Sequence, residues 1–380
     1  MSEFKHDLGG TFKGSRNEGL DGIRGLAALS VALGHCYLVA FGLDIWRATV
    51  RDLFTLLPED IGYRLLSLAF PADPAVMVFF VLSGNVLWQS FVRKRLNRGS
   101  FLDYVLSRLW RLMPPIAAAT VLMDYFTQVS GTELVANTLL LHTNVLGVTW
   151  SLQVEMVGSL AIFAMWLWGR DSLPKMMAAV TVAIASVLFL RGTVLVYLPA
   201  FALGGLISSI PASVWRSRAL FWCGLALLLT ANLFFSHSGI TRCFEIAGAT
   251  AVVGCMGTRP LRMLQSPLVQ LLGTISYPLY LCHPIAVAAI GGVVETLTGS
   301  HRLTAFALIS FASLVLAVPL AWLLHVGIEV PAMRGRQKLP ALKWQKRHTS
   351  LLPQPESEAS IERRRSDLGL TSASAAPRVG

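Results

Sequence analysis

Charge is what this sequence has least of. Only 14% of its 380 residues are Asp, Glu, Lys or Arg, against about 25% in a soluble globular chain. The deficit excludes an ordinary water-exposed helical enzyme, whose helices carry one polar face. Also missing are a CxxC pair, an HExxH metal signature, a GxxxxGK[ST] phosphate loop and a GxGxxG turn. These absences remove the common sequence grounds for a zinc centre, a nucleoside-triphosphate site or a dinucleotide fold. No metal is expected. The five cysteines all fall in or beside apolar runs, where they read as small packing residues. Residues 1–19 are polar and show no cleavable leader pattern, so the first apolar run is expected to stay as an anchor.

Apolar residues dominate instead, at 54% with a mean hydropathy of +0.59. They gather into runs near the roughly 20 residues that cross a bilayer. The runs predict an all-α, polytopic membrane bundle of about ten helices, at 25–42, 74–92, 112–126, 149–168, 176–190, 194–210, 219–235, 243–257, 268–290 and 303–326. The stretch 133–147 is apolar but too short to span, and should lie in the interface or re-enter. Net charge is +11. The basic residues crowd the segments that a cytoplasmic N-terminus would put inside, which also puts the C-terminus inside. They face lipid headgroups or a phosphate-bearing ligand rather than nucleic acid. The predicted domains are a cytoplasmic segment at 1–19, a membrane domain at 20–334 and a disordered cytoplasmic tail at 335–380.

Ionisable groups within apolar runs are functional candidates by default. His35 lies about 16 Å along its helix from Arg24, near the expected bilayer middle; it suits proton transfer or nucleophile activation, or else helix packing. Ser83, in FFVLSG, sits at a similar depth. Glu155, in TWSLQVE, enters from the outer side, where it either orients His35 or accepts a proton, or forms a structural pair. Tyr277, Tyr280 and His283 recur at spacing three, and Pro278 and Pro284 should loosen the helix that carries them. Arg108 and Arg111 in SRLWRLMPP fall one turn apart and suit phosphate recognition, or simple anchoring at the inner face.

These segments, with LDGIRGLAALSVALGH (20–35), ISYPLYLCHP (275–284) and IEVPAMR (328–334), resemble the acyltransferase 3 family of membrane O-acyltransferases. The resemblance implies a ten-helix bundle that takes an acyl group, typically acetyl, from cytosolic acyl-CoA. The acceptor it implies is a hydroxyl of an extracytoplasmic or lipid-linked glycan, with polysaccharide assembly enzymes as possible partners and a bacterial inner membrane as location. It makes His35 and Glu155 the catalytic pair and Arg24, Arg108 and Arg111 the donor-binding set. Asp21, Ser83, Tyr277, Tyr280 and His283 are assigned to the supporting cavity wall. A proton-coupled transporter or exporter of an anionic or glycan substrate is the competing reading.

Overall fold

The computed structural model describes residues 17–94, 100–169, 172–189, 194–235, 239–299 and 301–338. The tail at 339–380, most of the 1–19 segment, and Arg95 and Arg98 lie outside the described residues. Ten principal helices follow in chain order: α1 (Glu18–Phe41), α2 (Ala72–Lys94), α3 (Phe101–Thr127), α4 (Thr149–Gly169), α5 (Leu173–Phe189), α6 (Leu198–Leu206), α7 (Arg218–Phe234), α8 (Gly239–Thr258), α9 (Ser276–Thr298) and α10 (Arg302–Leu324). No strand occurs among the described residues.

Six helical segments are long and apolar enough to cross a membrane: α1, α2 with the helix leading into it, α4, α8, α9, and α10 with its continuation. The helices α5, α6 and α7 are apolar but shorter. With 27 residues α3 has the length, yet Arg108, Arg111 and Asp124 interrupt its apolar run. Large apolar side chains point outward along the bundle, among them Phe311 at 71% exposure and Leu323 at 66%. Such a surface would be costly in water and matches a lipid environment.

At the centre stands α1, packed against α2, α8, α9, α10 and the short helix Pro267–Thr274. Its N-cap is Asn17, whose Oδ1 accepts from the backbone N–H groups of Gly19 (3.1 Å) and Leu20 (3.2 Å). Gly34 of α1 lies against Ala72, so the end of α1 meets the start of α2. The bundle therefore has one end with Glu18 and Arg24, and an opposite end with Phe41 and Ala72. The second end is capped by short helices over 43–66. There the buried guanidinium of Arg64 donates to Ala48 O (2.6 Å), Ser67 Oγ (2.5 Å) and Asn232 O (3.3 Å).

Two sequence expectations change shape. The single helix expected over 268–290 is two, Pro267–Thr274 and α9. Pro278 falls in the first turn of α9, where a missing N–H is harmless, so only Pro284 lies inside the helix. The stretch 133–147 is a short helix, Gly131–Thr138, followed by irregular chain. Asn137 holds that chain: its Oδ1 accepts from Val145 (3.1 Å) and Leu146 (2.9 Å), and its amide donates to Thr149 (3.2 Å). At the far end, α10 runs through a π-turn (His325–Glu329) into Val330–Lys338, past the expected boundary at 334.

The tightest helix crossing is between α2 and α6. A Cβ on Gly204 would stand 2.1 Å from Val81 O, and one on Gly84 2.2 Å from Phe201 O. Both contacts are to backbone, which cannot swing aside as a side chain can. Gly204→Val should therefore destabilise the protein by about 3 kcal/mol or more. The check is the thermal midpoint of the detergent-purified protein, and an unchanged midpoint would refute the close crossing.

Candidate active site

A cavity of about 170 Å³ opens between α1, α2, α3, α4 and α9. Val76, Phe79, Phe80, Leu87, Leu112 and Leu152 supply its apolar wall. Its polar lining is Arg24, Ser83, Arg108, Arg111, Ser151, Glu155, Ser276, Tyr277 and Tyr280. Seven residues singled out from the sequence thus share one cavity. Ser151 and Ser276 were not anticipated, since a lone serine in an apolar run carries no signal of its own.

Arg24 marks the Glu18 end of the cavity. The break between Pro267–Thr274 and α9 leaves the Gly273 carbonyl outside any helix ladder, and Arg24 donates to it (2.9 Å) and to Ser276 Oγ (3.0 Å). Asp21 pairs with the same guanidinium at 2.8 Å. Asp21 therefore supports Arg24 and does not itself line the cavity. Arg111 is exposed on α3, while Arg108 is buried.

Deeper in, Arg108 forms an ion pair with Glu155. Ser83 donates to the same carboxylate oxygen at 2.5 Å. The two charged side chains are only 9% and 15% exposed, so each desolvated charge depends on the other. The Nε of Arg108 is buried without an acceptor, an unmet donor on a group that lines the cavity. Tyr277 donates to Leu112 O (2.8 Å), and Tyr280 shares a hydrogen bond with Ser151 Oγ (2.7 Å).

His35 lies apart from this carboxylate. Its place is about 26 Å from the Glu18 end of α1 and only about 9 Å from the Phe41 end. It is thus three quarters of the way along, not midway, because α1 starts before Arg24 and stops soon after the histidine. Among the described residues its hydrogen-bond partners are Val31 O (2.9 Å) and His283 Nε2 (3.2 Å), both to Nδ1. His283 in turn has Leu279 O at 3.2 Å from its own Nδ1. A carbonyl can only accept, so His283 Nδ1 carries a hydrogen and its Nε2, in the neutral ring, is an acceptor. His35 Nδ1 then faces two acceptors and must carry the hydrogen. The pair fixes the His35 tautomer and leaves its Nε2 lone pair as the free base.

The expected contact of Glu155 with His35 is therefore absent among the described residues, as is one between Ser83 and His35. Tyr280 links the cavity to the histidine pair: it lines the cavity, and its ring lies 5.7 Å from that of His283. Glu329 bonds His325 within the π-turn at 2.7 Å.

Because Glu155 compensates Arg108, removing one partner leaves an uncompensated charge. Arg108→Gln alone should lower the thermal midpoint markedly, whereas Arg108→Gln with Glu155→Gln should recover most of the loss. Equal destabilisation by the single and the double variant would contradict the pairing.

Neither the curated proteins nor the solved structures gave a match to this chain. A family model described as an acyltransferase domain does match, over residues 17–326. That span takes in α1 to α10 and every residue of the cavity and of the histidine pair. With its apolar helices and this match over most of its length, the chain is a multi-pass membrane protein and belongs to the acyltransferase 3 family.

Proposed function

We propose that the protein moves an acyl group, acetyl in the simplest case, from acyl-CoA in the cytosol to a hydroxyl of an extracytoplasmic or lipid-linked glycan. The observation that carries this reading is a single cavity with guanidinium groups toward one end and a tautomer-fixed histidine pair just beyond its inner wall. In this orientation the Glu18 end faces the cytosol, both termini are cytoplasmic, and the membrane is a bacterial inner membrane.

The donor fits the residues present. Arg24 and the exposed Arg111 suit its phosphates, which planar guanidinium donors bind well. Arg108, already neutralised by Glu155, contributes its unmet Nε–H rather than net charge. The apolar wall accommodates the flexible arm that brings the thioester inward. At His35, Nε2 takes the proton of the acceptor hydroxyl as its oxygen attacks the thioester carbonyl. The carbon–sulfur bond breaks, and the leaving thiolate recovers the proton. In the two-step variant Nε2 first carries the acyl group, and the acceptor oxygen then displaces it. Both routes need the free Nε2, which Val31 O secures by taking the Nδ1 hydrogen and His283 supports as a second acceptor. Glu155 holds Arg108 and Ser83 along the donor's path.

The test compares base-labile esters on envelope polysaccharide from cells lacking the protein and from cells restored with wild type or variants at matched membrane levels. His35→Ala should lower esters by about 100-fold or more. His283→Gln retains an acceptor for His35 Nδ1–H and should keep more activity than His283→Leu. Full ester levels with His35→Ala would sink the assignment. Esters that never respond to the wild-type gene would favour the transporter reading.

A further inference from the structure

Beyond the histidine pair, at the Phe41 end of the bundle, lies a second group of polar and aromatic residues that acyl-CoA binding does not use. Asp73 sits in the first turn of α2, next to Ala72, which packs on Gly34 beside His35. It is partly exposed and has no hydrogen-bond or ion-pair partner among the described residues. A carboxylate is acceptor-only, so it calls for donors from whatever occupies the space before it.

Two turns further along the same face of α2, Phe80 lies 5.5 Å from the Tyr197 ring and 6.4 Å from that of Trp150. Trp150 and Tyr197 are 5.4 Å apart, and each keeps part of its surface exposed. Arg242 of α8 covers the Tyr197 ring at 5.6 Å. It also pairs at 2.8 Å with Glu245, whose side chain is fully buried. That pair is internally satisfied, so neither of its members makes a direct ion pair with Asp73.

Aromatic faces beside a carboxylate and a guanidinium suit one chemical class well. A sugar ring offers an apolar C–H face to lie on a ring and a rim of hydroxyls to donate and accept. A carboxylate placed against Asp73 would meet a like charge, so a neutral sugar fits better at this point. We propose that Asp73, with Trp150 and Tyr197, forms the acceptor subsite for a neutral sugar residue, orienting one of its hydroxyls toward His35 Nε2. This rests on the acyl-transfer reading above and adds to it where the acceptor is held.

The test uses full-length protein in lipid nanodiscs, acetyl-CoA, and the glycan fraction extracted from cells lacking the protein, with release of free CoA as the readout. Asp73→Asn should raise the half-saturating concentration of glycan about tenfold, the loss of one charge-assisted hydrogen bond, and leave that of acetyl-CoA unchanged. Trp150→Leu, which keeps bulk but loses the ring, should act the same way. Thermal midpoints near wild type would exclude misfolding as the cause. Unchanged glycan saturation in both variants would overturn the subsite while leaving acyl transfer intact. Equal shifts for glycan and acetyl-CoA would overturn it in favour of a structural role. If wild type releases no CoA in response to glycan, the acyl-transfer reading fails and the subsite with it.

Discussion

The rest of the molecule depends on the register between α1 and α9. Near one end α1 meets the short helix Pro267–Thr274, which leads into α9, through backbone: a Cβ on Gly25 would stand 2.5 Å from Gly273 N, and one on Gly273 2.3 Å from Asp21 O. Arg24 fastens this contact through the Gly273 carbonyl that the helix break sets free. Further along both helices, in the same direction, His35 meets His283. Glycine at the near contact is what lets the two axes approach closely enough for the imidazoles to touch. A small rotation of either helix would separate the rings and leave Val31 O as the partner of His35 Nδ1–H.

Much of this was legible in the sequence, in one dimension. Apolar runs gave the helices, and ionisable residues within them gave most of the cavity wall, because charge in lipid requires a reason. Distance along a helix is also readable, so Arg24, Arg108 and Arg111 could be grouped at one end. Azimuth is not. Glu155 enters from the outer side and His35 lies well inside its run, so that contact was one of the readings open to Glu155, but depth does not say which way a side chain points. Only packing turns Glu155 toward Ser83 and Arg108, and His35 toward His283.

The helix break and the second polar group were hidden for different reasons. ISYPLYLCHP is continuous in hydropathy, and only the meaning of Pro278 as a first-turn residue separates α9 from the helix before it. Arg242 and Glu245 fall at the start of an apolar run, where charge is ordinary. Asp73 has the same disguise at the start of α2. Their meaning comes from Tyr197 and Trp150, which are far away in sequence and near in space.

The mixed character of α3 bears on how the chain enters its membrane. A helix carrying Arg108 and Arg111 costs about 2.5–3.5 kcal/mol for each charge that reaches the bilayer centre, and α4 brings Glu155 at a cost of the same kind. Each is a poor candidate for lateral release into lipid on its own. Together they cancel one charge against another, so biogenesis favours the arrival of α3 and α4 as a pair. A contact within the active site thereby also sets the order in which the bundle is assembled.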